Sequence, residues 1–248
     1  MNPADLSGSR QAPLAPGQDL ADLRLLHLAD SALPIGSLAH SLGLESLEAA
    51  GILQVSDLAD FFRGYLEEAG LVEAFFCRAA FRLANAGPEP FSSERWRGLN
   101  EQLAARKPAR ESRAASATLG HNFLLTVLAL GEFPVVSEAL AAAKRSPAVA
   151  IHHGLAFGLV SGALGFDVDR AVLAWLHQTI ANLVSACQRL LPLGQTEAAR
   201  ILWNLKGTMI ETAERSAACS LDDACCFMPL LDWGAMEHPA LPTRLFVS

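Results

Sequence analysis

The sequence predicts an all-α protein, a single-domain bundle of about nine or ten helices joined by short connections. Three observations carry this. Ala and Leu are abundant while Tyr occurs once, which favours helix over strand. Apolar residues recur at three- and four-residue spacing, with no alternating strand pattern. Pro and Gly fall between the periodic runs, where helices start and stop.

Residues 1–19 hold three Pro and two Gly without apolar periodicity, and are expected to form a mobile extension. The helical domain then covers 20–248. Its first helix should run from 20 to about 29 and end before Leu33-Pro34-Ile35-Gly36; a second should span about 38–50. Ser56 can cap a long helix reaching about 84, which Gly87-Pro88-Glu89-Pro90 stops. Ser93 opens a helix to about 106, and 110–130 forms another, closed by Gly131. Pro134 and Pro147 sit where first-turn prolines belong, for helices near 135–145 and 148–165. The 168–190 run carries two adjacent apolar stripes, one through Val172, Trp175 and Thr179, the other through Leu176, Ile180 and Val184. It should therefore touch two neighbours and be central. Thr196 can cap a further helix to about 215. Residues 227–248 read as an extended C-terminal tail suited to partner binding.

Ala150, Gly154, Gly158 and Gly162 lie four apart, along one helical face. A helix-interior glycine costs about 1 kcal/mol relative to Ala. Such a row is tolerable where another backbone comes close, so a tightly packed helix pair is expected here. The surrounding 148–166 stretch lacks Asp, Glu, Lys and Arg and nears membrane-spanning length. His152, His153, Ser161 and the glycines interrupt it, so it reads as a buried helix.

Hydrophobic residues make up 51% of the chain and charged residues 18%, which excludes disorder for most of its length. The apolar excess suits helices buried on more than one face, or a surface kept for protein partners. The net charge is −7 and no Lys/Arg run exceeds two residues, which argues against nucleic-acid and anionic-membrane partners. Five cysteines, at 77, 187, 219, 225 and 226, suit free thiols in a reducing compartment. The N-terminus has no charged segment followed by an apolar core, so the cytoplasm is expected.

No P-loop, Gly-x-Ser-x-Gly, His-Glu-x-x-His or Cys-x-x-Cys motif occurs. An enzyme would need a site without local signature; the polar positions around His177 are its only appeal. His152 and His153 are adjacent, about 100° apart on a helix, and cannot readily share a metal ion. They read as satisfied or solvated histidines beside a helix contact, and Cys225-Cys226 as buried thiols. Glu45 and Glu48 read as a solvated face. Arg110, Glu111 and Arg113 at a helix start leave a salt bridge and a partner contact equally open. His238 is the histidine expected to be available to a partner.

Four patches together resemble the UreF family of urease accessory proteins. They are Leu33-Pro34-Ile35-Gly36 through Gly43-Leu44-Glu45, Arg110-Glu111-Ser112-Arg113 followed by Gly120, Pro192-Leu193-Gly194-Gln195, and His238 with Arg244-Leu245-Phe246. Ser37-Leu38 and Pro239-Ala240-Leu241-Pro242 depart from the pattern, which usually has a bulky aromatic and a more polar linker there. The resemblance implies a cytoplasmic, non-enzymatic, all-helical homodimer. It would bind UreD (UreH in some organisms), recruit the GTPase UreG and dock on urease apoprotein for GTP-dependent nickel insertion. Nickel and GTP would then belong to the partners, with no cofactor bound by this chain. Implied partner or dimer contacts are Pro34, Gly36, His40, Ser41, Gly43, Glu45, Arg110, Arg113, Pro192, Gly194, Gln195, His238, Arg244, Leu245 and Phe246. A helical-bundle enzyme acting on a small molecule, or a scaffold for another metalloenzyme, is the alternative. If the tail serves partners, deleting 239–248 should spare the helical fold.

Overall fold

The computed structural model describes residues 16–85, 90–145 and 149–248. Among these, no strand is present and twelve α-helical segments follow one another. They are α1 (Pro16–Leu28), α2 (Leu44–Ala49), α3 (Leu58–Tyr65), α4 (Leu71–Ala84), α5 (Ser93–Ala105) and α6 (Arg110–Leu130). Then come α7 (Pro134–Arg145), α8 (His153–Ala163), α9 (Val168–Leu190), α10 (Gln195–Asn204), α11 (Lys206–Ala218) and α12 (Pro229–Glu237). A π turn, Leu66–Gly70, joins α3 and α4 into one long rod, as the 56–84 reading anticipates.

The ends of elements depart from the sequence reading where side chains choose other partners. The helix α1 begins at Pro16, inside the segment expected to be mobile; residues 1–15 lie outside the described residues, as does Pro147. The expected 38–50 helix splits into a 3-10 turn (Ser37–Ala39) and α2, because Gly36, Leu42 and Gly43 take φ of 89°, 54° and 98°. Ser56 gives its hydroxyl to the Asp57 carboxylate at 2.9 Å instead of capping a helix. Ser92, one residue before the expected start, caps α5 by accepting from Arg95 N at 3.2 Å. Gly194 precedes α10 without any side-chain cap, so Thr196 does not cap it.

The core is organised around α8, whose residues His153 to Gly162 are all buried against α4, α6 and α9. A Cβ at Gly158 would overlap the Cys77 carbonyl, and one at Gly162 would overlap the Phe81 carbonyl. The glycine row thus brings two backbones together, as its four-residue spacing predicts. The more enclosed helix is α8, while α9 packs on α4, α8, α10 and α11 and keeps one flank partly open. Arg78, buried on α4, donates to Ser216 Oγ and Ala213 O at 2.8 Å each and pairs with Asp169 at 2.6 Å, fastening α11 to the core. No helix among the described residues is long and apolar enough to cross a membrane.

Candidate partner-binding site

The start of α2 and the C-terminal segment meet at one carboxylate. Glu45, in the first turn of α2, is buried and its oxygens can only accept. His238 Nε2 donates to it at 2.7 Å, Phe246 N at 3.2 Å, and Leu245 N also donates. Charge-assisted bonds of this kind are stronger than neutral ones, so one side chain locks the tail across the start of α2.

Backbone pairing extends the lock. Val247 N donates to Ala39 O at 2.8 Å, and Leu42 N donates to Ser248 O at 3.2 Å. The Ser41 hydroxyl donates to that same oxygen at 3.1 Å, and His40 Nδ1 lies 2.7 Å from the Ser248 hydroxyl. Gly43 is required twice over: its φ of 98° disfavours any side chain, and a Cβ would sit 2.7 Å from Ala235 N and Leu231 O of α12. On the other side, Asn122 Nδ2 of α6 holds the turn by donating to Ile35 O at 3.1 Å.

The tail alternates like a strand laid on a surface. Phe246 points inward, 5% exposed, with the Arg189 guanidinium 4.2 Å from its ring centroid. Leu245 and Val247 point outward, 61% and 68% exposed, and Arg244 is exposed beside them. The helix α12 exposes Leu230, Trp233 and Met236 at three-residue spacing.

Of the residues singled out from sequence, His40, Ser41, Gly43, Glu45, His238, Leu245 and Phe246 are brought together here. Pro34 and Gly36 lie exposed on the adjoining turn. Pro192 and Gly194 on the turn just after α9, and Gln195 at the start of α10, are exposed; the last turn of α9 supplies Arg189. Arg110 and Arg113 stand apart, at the start of α6, beside a groove lined by Asn100 and His152. Arg110 pairs with Glu111 at 3.4 Å, and Arg113 Nη1 donates to Pro108 O at 2.8 Å and to Lys107 O.

Several expectations change. Glu45 is not on a solvated face, and His238, 1% exposed, is not free for a partner; each satisfies the other inside the chain. The 227–248 segment is not an extended tail throughout, since 229–237 is helical. Cys225 is exposed and Cys226 half-buried, its thiol pushed up to about 11 by burial first and by the nearby Asp232 and Glu68 carboxylates. His152 and His153 do flank a helix contact but are neither solvated nor satisfied: both His152 ring nitrogens and His153 Nε2 lack a partner within the protein. Burial depresses His153 to about 3, and burial together with Lys107 and Arg113 depresses His152 to about 4, so both are neutral near pH 7. Sequence reasoning missed Arg189 and α12; Pro229 at a first helical position and the small Gly234-Ala235 pair were the available signals.

No group of three or more His, Cys, Asp or Glu side chains among the described residues is placed to hold a metal ion. The described residues form an all-helical protein, with the clasp as its candidate contact surface. The family model for UreF matches residues 52–206. The urease accessory protein UreF of Corynebacterium glutamicum is 34% identical over 230 residues, 92% of this chain and 98% of that protein. Its counterpart in Rhodopseudomonas palustris strain BisA53 is 32% identical, covering 91% and 92%, and that of Bradyrhizobium diazoefficiens 31%, covering 95% of each. The chain belongs to the UreF family of urease accessory proteins.

Proposed function

We propose that this protein is a non-catalytic scaffold for urease maturation in the cytoplasm. It acts as a homodimer that bridges UreD (UreH) and the GTPase UreG and presents them to urease apoprotein for GTP-dependent nickel insertion. Nickel and GTP stay with the partners, and this chain holds no cofactor of its own.

Family membership supports the urease context. The observation that carries the scaffold reading is the locked tail, with Phe246 anchored inward while Leu245 and Val247 face solvent. Apolar side chains displayed on a rigid, hydrogen-bonded frame avoid the ordering cost that a loose tail would incur on binding. Arg244, exposed beside them, supplies the residue type that most often anchors interfaces. In this reading His40, Ser41, Gly43, Glu45, His238 and Phe246 shape the surface, and Pro34, Gly36, Arg244 and Leu245 meet the partner. The exposed Leu20, Leu23 and Leu26 of α1 form a second apolar face, which suits a protein with more than one interface.

Co-purification tests this directly. The protein should form a stable complex with folded UreD and UreG homologues at micromolar concentration, and Leu245→Glu should abolish it. No complex between the three folded wild-type proteins would overturn the reading.

A further inference from the structure

A partly enclosed cavity of about 120 Å³ lies among α4, α6, α9, α12 and the 37–42 segment. Trp175, Gln178, Thr179 and Asn182 line it from one face of α9, at positions i, i+3, i+4 and i+7. Gln178 is 1% exposed, yet neither its Oε1 nor its Nε2 has a partner within the protein. The same holds for Trp175 Nε1, Asn182 Oδ1, Glu73 Oε2 and His153 Nε2, all in this wall. Buried polar atoms are nearly always satisfied, and six of them border this single space without a partner within the protein.

The fixed charges of the wall decide what kind of guest. Glu73 and Asp232 contribute two carboxylates, and Arg106 and Lys107 two cations, with Lys107 already paired to Glu73. A cation would compete with Lys107 for Glu73, and an anion would face both carboxylates. Tyr65 and Cys226, also lining the space, remain protonated because burial raises both groups. The remaining polar atoms mix donors and acceptors, with the Trp175 N–H and the Gln178 amide N–H on one side of that balance and Gln178 Oε1, Asn182 Oδ1 and Glu73 Oε2 on the other. Gly154 contributes by what it lacks: a Cβ there would lie 2.5 Å from Glu73 Oε2 and 3.4 Å from the Trp175 ring, so its absence lets these two groups approach each other.

We propose that this cavity binds a small, uncharged molecule of the carboxamide class. Its amide forms a two-point pair with the Gln178 amide, N–H to carbonyl in each direction, and its carbonyl accepts from Trp175 Nε1. The site shares His40 and Leu42 with the clasp but does not rest on the scaffold reading.

Ligand-observed saturation-transfer NMR on the full-length protein tests it, with acetamide as probe and ethanol and sodium acetate as size-matched comparators. Acetamide should bind saturably with Kd of about 1–10 mM, as expected for so small a ligand, and acetate should not. Gln178→Leu should weaken acetamide by about tenfold or more while leaving the circular dichroism spectrum unchanged. Trp175→Phe, which removes only the N–H, should weaken it several-fold; it decides the matter alone if Gln178→Leu does not fold. No saturable acetamide signal up to about 100 mM would show a water cluster only and overturn the proposal. Equal binding of ethanol and acetamide would overturn the carboxamide class, and unchanged affinity in the variants would overturn the site.

Discussion

At Gly158 and Gly162 of the α4–α8 contact, two helices meet through glycine with backbone against backbone. At the clasp between residues 39–45 and the tail, the closeness comes from hydrogen bonds converging on Glu45 and Ser248. The first contact tolerates no added atom. The second tolerates no missing one. A glycine interface is a matter of shape, so its failure is steric; a clasp around a buried carboxylate is a matter of pairing, so its failure is an orphaned polar group.

The largest effect should come from breaking the shape. Gly158→Val drives side-chain atoms into the Cys77 carbonyl, which is backbone and cannot yield, and should cost more than about 3 kcal/mol in urea unfolding. Gly64 in α3 is the contrast, since nothing lies within 4 Å of its would-be Cβ; Gly64→Ala should stabilise by about 0.5–1 kcal/mol. Equal effects of the two substitutions would mean that the α4–α8 approach is looser than described.

Next comes the clasp. Glu45→Ala leaves the His238 ring and the Leu245 and Phe246 amides without an acceptor, and should cost about 2–4 kcal/mol. Removing 239–248 should lower the melting temperature for the same reason, contrary to what a tail devoted to partners suggests. An unchanged melting temperature for either variant would show the clasp to be dispensable.

The buried histidines set a smaller, pH-dependent effect. An unfolded imidazole takes up its proton near pH 6.5, whereas His152 and His153 do so only near 4 and 3 in the fold. The unfolded state therefore binds more protons, so this stability is complete above about pH 6.5. It declines as pH falls toward the folded values, by up to about 1.4 kcal/mol per pH unit per histidine. His153→Phe, placed against the rings of Phe123 and Trp175, should flatten the pH 7 to 5 unfolding profile without abolishing its slope, because burial also lowers His152, His40 and His177. An identical slope in the variant would remove His153 from the account. Smallest in stability is Arg244→Ala, within about 0.5 kcal/mol because the side chain is exposed, yet it should reduce UreD capture in a pull-down.

Much of the bundle was legible in the sequence. Helices at 110–130 and 168–190 appear where periodicity puts them, and the glycine row faces a close neighbour. Both depend on spacings of three and four residues, which lie within one element. The site was half legible. The patches around residues 33–45 and 238–246 could be picked out, but Glu45 read as solvated and His238 as free, because each owes its burial to the other across 193 residues.

By itself, then, the sequence determined most of the helical segments, which face of α8 accepts another backbone, and that the chain resembles the UreF family. Only the tertiary structure decided that the two terminal patches touch, that α12 interrupts the tail, and that Gln178 and Trp175 turn unpartnered groups toward a common space. Periodicity encodes how a helix meets its immediate surroundings. The partner of a buried polar atom is chosen by the packing of elements far apart in the chain, and no local pattern records that choice.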